Sequence, residues 1–475
     1  MLKLQNAKFE ERLAIAQAEI TPGDILAQLA SDREAQIRQS VASNPNTPLE
    51  ILENLCRDFP EAIINNPIFN ILLLENPNSK IVRLSLARSS TTSAGTLARL
   101  AETLNNSHDD QEIVLAIANN INTPIEIFKQ LDRYHLQEVA DNPNTSLQIL
   151  EKLAIIESVF VLIGTARNPN TSLQILEKLA RDENHYVRAV VAQNHHASWQ
   201  ILEELVKGSN NYSEDNFVRL FVAQNPHTSP QILEKLASYE LPEFRGVLAS
   251  HPNASPQILE KFSDDEDDNI RLKIALNKNT PPQVLEKLAS DQNRNVRVQV
   301  ASHQNTSPQV LEKLASDQNR DVRIQVAANH NTSPNILERL ARSKSTLIRG
   351  EVAKNPHTPT QILEKLTRDK DYYIRGEITY NCNISLQILE TLTSDPEEYV
   401  RRSARLKLAE NPNTSLQVLE ELSGSENDEI RLRIAINQNT PRQVLGKLAS
   451  DENDEIRVEV VRNGDAAVQK MAREK

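Results

Sequence analysis

The chain has 475 residues, a formal net charge of -12 and only 10 glycines and 2 cysteines; the acidic balance counts against a general phosphate-backbone binder, which needs a clustered positive surface. Cys56 and Cys382 lie far apart, so no disulfide and a reducing compartment are expected. The charged start, Met1 to Arg12, is unlike a secretory leader, no apolar run reaches the ~20 residues of a membrane span, and the expected location is the cytoplasm.

Residues 1–20 read as an N-terminal cap, in which Phe9 to Ile20 form a lone helix with Arg12 and Ala16 at repeat positions. A recurring unit follows. It is clearest mid-chain, where Asn279-Thr280-Pro281-Pro282-Gln283-Val284-Leu285-Glu286-Lys287-Leu288 returns 26 residues later at Asn305 to Leu314, and again at Asn331 to Leu340. A fixed period in this range marks a stacked array, whose units bury their apolar faces only against neighbours.

Each unit predicts two helices. In Thr306 to Asn331, Thr306 with Gln309 three positions on reads as a capping box, and Pro308 falls in the first turn, where its missing N–H costs nothing. The first helix, A, presents Val310, Leu311, Leu314 and Ala315 on one side, with Gln309, Glu312 and Lys313 toward solvent. The second, B, presents Val322, Val326 and Ala327, is capped by Asp317 or Asn319, and ends at Asn329-His330-Asn331. Its short length leaves α or 3₁₀ geometry open. Period-two alternation is almost absent, which counts against a sheet.

Equivalent cap positions fall at Thr21, Thr47, Thr92, Thr123, Thr145, Thr171, Ala197, Thr228, Ala254, Thr280, Thr306, Thr332, Thr358, Ile384, Thr414 and Thr440. Where threonine is lost, Ser198, Ser255 or Ser385 can cap one residue later. A degenerate unit fits around Asn66 to Leu74, and residues 461–475 form a shortened, charged C-terminal cap. No linker interrupts the pattern, so residues 1–475 are expected to form one continuous all-α solenoid.

Three columns run along the array. Arginine recurs in helix B at Arg12, Arg38, Arg83, Arg188, Arg219, Arg245, Arg271, Arg297, Arg323, Arg349, Arg375, Arg405, Arg431 and Arg457, often six residues after an aspartate. The spacing follows the fold, so a ladder of guanidiniums on carboxylates and turn carbonyls is expected; an open positive stripe is the alternative. Val114, Leu136 and Leu162 interrupt it. Turn asparagines such as Asn46, Asn170, Asn279 and Asn305 are expected to satisfy backbone groups between repeats. His195, His196, His227, His251, His303, His330 and His357 lie in the same turns; equivalent positions of neighbouring units are too far apart to share one zinc ion, and only the adjacent His195 and His196 could share a site, which no cysteine or nearby ligand motif completes. No metal or other cofactor is expected, and no phosphate loop, nucleophile elbow or His-Glu-x-x-His helix is present.

The unit Asp-x-x-x-x-Val-Arg-x-x-Val-Ala-x-Asn-Pro-Asn-Thr-Ser/Pro-x-x-Ile-Leu-x-x-Leu-Ala resembles the leucine-rich repeat variant proteins of bacteria, with good local examples at Asp182 to Ala192 and Asn168 to Ala180. The resemblance covers nearly the whole chain and implies a right-handed superhelix of alternating α- and 3₁₀-helices. HEAT-type arrays are similar at helix B. The step here is slightly longer than the variant repeat, which favours a more fully α-helical helix B. Some members of the family carry an N-terminal cysteine cluster for an iron–sulfur centre; Cys56 alone does not reproduce it.

The function expected is non-catalytic: a scaffold that binds a protein partner through an extended surface. Two rivals are a HEAT-like lyase or chaperone acting on a pigment or modified protein, and nucleic-acid binding along the arginine stripe. The period lengthens around Asn105 to Asp110, Lys207 to Asn216 and Pro396 to Arg402, and such insertions often carry recognition. Candidate partner-binding residues are Trp199, the sole tryptophan, with Tyr212 in the nearby insertion, and Arg297, Arg323 and Arg349 of the column.

Overall fold

The computed structural model describes residues 7–104, 108–208, 212–239, 241–464 and 468–469. Every regular element among them is an α-helix, and none is long and apolar enough to cross a membrane. The chain divides into two compact units, Met1–Phe244 and Arg245–Lys475. Each is a solenoid of stacked two-helix repeats.

The second unit is the more regular. Its A helices include Pro282–Leu288, Pro308–Leu314 and Pro334–Leu340, of seven residues each; its B helices include Arg294–Ser302, Arg320–Ala328 and Thr346–Lys354, of nine each. Helix B is therefore α, not 3₁₀, as the longer step favoured. Asn319 opens it, its side chain accepting from the N–H groups of Asp321 and Val322. Helices this short do not persist alone in water; burial holds them. Val310, Leu311, Leu314, Val322, Val326 and Ala327 are all buried, while Gln309, Glu312 and Lys313 face solvent. These three B helices pack against one another in that order.

The recurring threonine does not cap helix A. Thr306 is fully buried, and its Oγ1 donates to the Val300 carbonyl at 2.5 Å, closing the end of the preceding B helix. Thr47, Thr123, Thr280, Thr358 and Thr440 repeat that bond at 2.6 to 2.7 Å. The cap lies one residue later: Ser307 Oγ accepts from Val310 N at 3.3 Å. Threonine stands too far from helix A to reach its first-turn N–H groups, whereas the last-turn carbonyls of helix B lack partners and lie beside it. Ser198, Ser255 and Ser385 cap as anticipated.

The first unit starts with helix Phe9–Gln17, whose Arg12 and Ala16 are buried. Its degenerate stretch forms Pro60–Ile64 and Pro67–Glu75. The second of these buries only Phe69 and leaves Ile71, Leu73 and Leu74 exposed. The lengthened connections turn out to be helix. The extra residues extend the N-terminus of helix B, giving His108–Asn119, Tyr212–Gln224 and, in the second unit, Glu398–Glu410. Residues 105–107 and 209–211 of those insertions lie outside the described residues, as do 1–6 of the N-terminal cap and 465–467 and 470–475 of the C-terminal one.

Candidate functional site

The arginine column is a ladder between repeats. Arg297 Nε and Nη2 donate to the two carboxylate oxygens of Asp317 at 2.7 and 3.2 Å, while Nη1 donates to the Asp291 carbonyl at 2.7 Å. Arg349 grips Asp369 the same way, at 2.6 and 3.0 Å. The residue six before each arginine, Asp291 or Ser343, thus offers its backbone carbonyl, and the carboxylate comes from the following repeat, twenty residues on. Burial raises the cost of charge on Asp317 and Asp369, but the guanidinium bonds outweigh it and hold both carboxyls below their usual range. Arg297 and Arg349 are therefore committed to the stack. Arg323 differs: its Nη1 donates to the carbonyls of Asp317 and Gln318, and the residue twenty positions on is Ser343. A continuous open cationic stripe, which nucleic acid would need, is not what this column presents. Where the column is interrupted in the first unit, Val114 and Leu136 are buried.

A second ladder was not singled out in the sequence. Asn329 is buried at the end of helix B, and its Nδ2 donates to the carbonyls of Ala301 at 2.8 Å and His303 at 3.1 Å in the repeat before. Asn44, Asn168, Asn194, Asn277, Asn355 and Asn437 do the same. The signal was available: asparagine recurs two residues ahead of the turn asparagines already noted. Those outer asparagines also bridge repeats, as Asn305 Nδ2 does to the carbonyls of Lys278 and Thr280. Two of the turn histidines stand in for the buried asparagine. His303 Nε2 bonds the Asn277 carbonyl at 2.9 Å, and Nδ1 of His251 and of His303 each accepts an N–H two residues on. His195 with His227, and His330 with His357, meet edge to face at 6.4 and 6.2 Å. Among the described residues no three His, Cys, Asp or Glu side chains group as metal ligands.

With core and ladders spent inward, an exposed position near the start of helix B is what varies. Counting eight residues back from the ladder asparagine gives Tyr134, Phe160, Tyr186 and Phe217 in four consecutive repeats. They are 73%, 66%, 51% and 38% exposed. They sit on Arg133–Asp141, Val159–Arg167, His185–Gln193 and Tyr212–Gln224, which pack in that order. Tyr186 and Phe217 meet edge to face at 5.5 Å, and Phe217 and Phe221 at 5.0 Å. One turn beyond Tyr186, Val190 lines a cleft of about 300 Å³ with Arg167, Pro169, Gln193, Asn194, His195 and His196. Aromatic side chains lose little entropy on contact and bury a large area, so a row of them left in water suits protein contact.

Trp199 is 57% exposed and opens the A helix Trp199–Lys207, in the place Leu147 and Leu173 take in earlier repeats. Its pairing with Tyr212 falls outside the described residues, which exclude the Tyr212 side chain. Gly208 ends that helix at φ +74°, where a Cβ would lie 2.6 Å from the Asp215 carboxylate; only glycine fits there. The glycine lets Arg219 donate to the carbonyls of Val206 and Lys207 and lie 4.4 Å over the Tyr239 ring.

No family model and no curated protein matches the chain. Among solved structures, "a leucine-rich repeat variant with a novel repetitive protein structural motif" is similar over 54% of this chain and 88% of its own, at 22% identity and a TM-score of 0.31. Kap121p bound to Nup53p is similar over 96% of this chain and 53% of its own, at 11% identity and a TM-score of 0.35. For Kap121p bound to RanGTP the figures are 96%, 56%, 12% and 0.33. The chain spans about half the length of the Kap121p chains it matches. The repeat fold rests on the helices and ladders described above.

Proposed function

We propose that this chain is a non-catalytic scaffold that binds a protein partner along the exposed B-helix face of residues 133–224. The observation that carries the reading is the aromatic row Tyr134, Phe160, Tyr186 and Phe217, one ring per repeat, with no fold requirement to be aromatic. A partner helix or strand laid along the row would meet one ring per repeat. Trp199 is a proposed further contact. The register of aspartate, Val-Arg, asparagine and leucine supports reading the chain as a cytoplasmic leucine-rich repeat variant protein, with a fully α-helical helix B as its departure.

The test is recovery of the partner from native cells by the intact chain. Phe160→Ser with Tyr186→Ser should weaken recovery at least tenfold, a loss of about 1.4 kcal/mol or more. Asn295→Ser with Asp321→Ser, at the same helix position elsewhere, should leave it intact. Equal recovery by both double variants would show that the row is not the binding surface.

A further inference from the structure

The ladder has a rung without a carboxylate. Around Arg323, the residue twenty positions after each ladder arginine is aspartate: Asp291 after Arg271, Asp317 after Arg297, Asp369 after Arg349, Asp395 after Arg375. After Arg323 it is Ser343. The serine performs the neutral half of the aspartate's task. Its Oγ accepts from Ser345 N at 3.2 Å, as Asp317 Oδ1 accepts from Asn319 N at 2.8 Å. Its carbonyl accepts from Arg349 Nη1 at 2.9 Å, as the Asp291 carbonyl accepts from Arg297. The hydroxyl therefore sits where a carboxylate oxygen sits in neighbouring repeats, without the second oxygen or the charge. Arg323 holds two carbonyls through Nη1, but its Nε and Nη2 bond no described residue. In Arg297 and Arg349 those two groups grip the carboxylate. A guanidinium fork fits a carboxylate or a phosphate in two-point geometry.

The setting favours an anion at this serine. Ser343 is half-buried in the turn between Pro334–Leu340 and Thr346–Lys354, within reach of solvent, and is flanked by exposed Arg342 and Lys344. Ser425 holds the corresponding place twenty residues after Arg405, but Glu426 and Asp428 follow it, and a phosphate there would meet like charge.

We propose that Ser343 is a phosphorylation site and that its phosphate closes the ladder on Arg323. A protein kinase would supply the group from a nucleoside triphosphate. The Ser343 Oγ–P bond forms, the bond from the γ-phosphorus to its bridging oxygen breaks, the nucleoside diphosphate leaves, and the hydroxyl proton passes to a base of the kinase. Phosphoserine carries about −1.5 to −2 charge at pH 7 and three strong acceptor oxygens. Those oxygens stand two bonds beyond Oγ, which brings acceptors to the place of the missing carboxylate oxygens, and the turn bond from Ser345 N is kept. The modification would stiffen the stack of Arg320–Ala328 on Thr346–Lys354.

The test uses the full chain with phosphoserine installed at position 343, followed by hydrogen exchange across residues 320–354. Exchange there should slow about tenfold relative to the unmodified chain. Arg323→Gln should abolish the slowing. If that variant folds poorly, Arg323→Lys, which keeps the charge but not the fork, should lose most of it. Ser343→Asp should slow exchange in the parent background. Chain recovered from its own cells should carry phosphate on Ser343 that a phosphatase removes. Unchanged exchange, slowing that survives loss of the Arg323 fork, or no phosphate on Ser343 across growth and stress conditions would each overturn the proposal.

Discussion

Residues 133–224 and residues 268–328 are built on one plan and differ in what they show to water. Both bury the same aliphatic layers and both donate a buried asparagine to the previous repeat, through Asn168 and Asn194 in one and Asn277 and Asn329 in the other. At the exposed helix B position eight residues before the ladder asparagine or histidine, the first stretch carries Tyr134, Phe160, Tyr186 and Phe217, and the second carries Asn269, Asn295 and Asp321. The regular stretch also carries arginine at every rung, with Arg271 and Arg297 paired to carboxylates, whereas Leu136 and Leu162 interrupt the column in the other. A position that the fold leaves free and that is aromatic in four consecutive repeats is the clearest mark of a task other than folding. The same position is Leu347 and Tyr373 later in the chain, but there Tyr373 accepts from Lys354 Nζ at 3.1 Å and lies against Gly350, so it is partly engaged within its own unit.

The shared plan breaks most sharply in the core. Leu202→Ala and Leu311→Ala each remove a fully buried side chain, and each should cost about 2–5 kcal/mol by chemical denaturation. Unequal costs outside that range would mean that the two stretches do not share a core. Next come the buried asparagines. Asn194→Ala and Asn329→Ala each orphan two carbonyls of the previous repeat, at about 1–3 kcal/mol.

The ladder adds a difference in acid. Burial pushes the carboxyls of Asp291, Asp317, Asp369, Asp395 and Asp451 upward, but the bonds from their arginines outweigh it and hold them below the usual carboxylate range. A lowered native pKa gives stability that is present above the unfolded value of about 4 and is lost as pH falls through the native value. Hydrogen exchange should therefore rise steeply below about pH 4 around residues 268–395, and less around 133–167, where the rungs are Leu136 and Leu162. Smallest of all is the effect of the aromatic row on stability: Phe160→Ser and Tyr186→Ser should shift unfolding by about 0.5 kcal/mol or less, because the side chains stand in water.

Much of this architecture was legible in the period. The 26-residue step, the buried faces of Val310, Leu311 and Leu314 and of Val322 and Val326, and the arginine ladder all follow from residue type and spacing. Three things were not legible. The threonine misled because a capping threonine and a threonine bonded back to the previous helix occupy adjacent positions in the same motif. The insertions read as loops because a polar run such as Ser213 to Asn216 does not announce that it continues helix B. The aromatic row stayed hidden because the step from Tyr186 to Phe217 carries an insertion that shifts the register, and because Tyr and Phe alternate rather than repeat.

The most direct measurement places a photo-crosslinking amino acid at position 160, 186, 295 or 321 of the intact chain in its native cells. Positions 160 and 186 should capture one and the same protein, and positions 295 and 321 should capture little. Capture spread evenly over all four positions, or absent from 160 and 186 while the chain is folded, would contradict a partner-binding row.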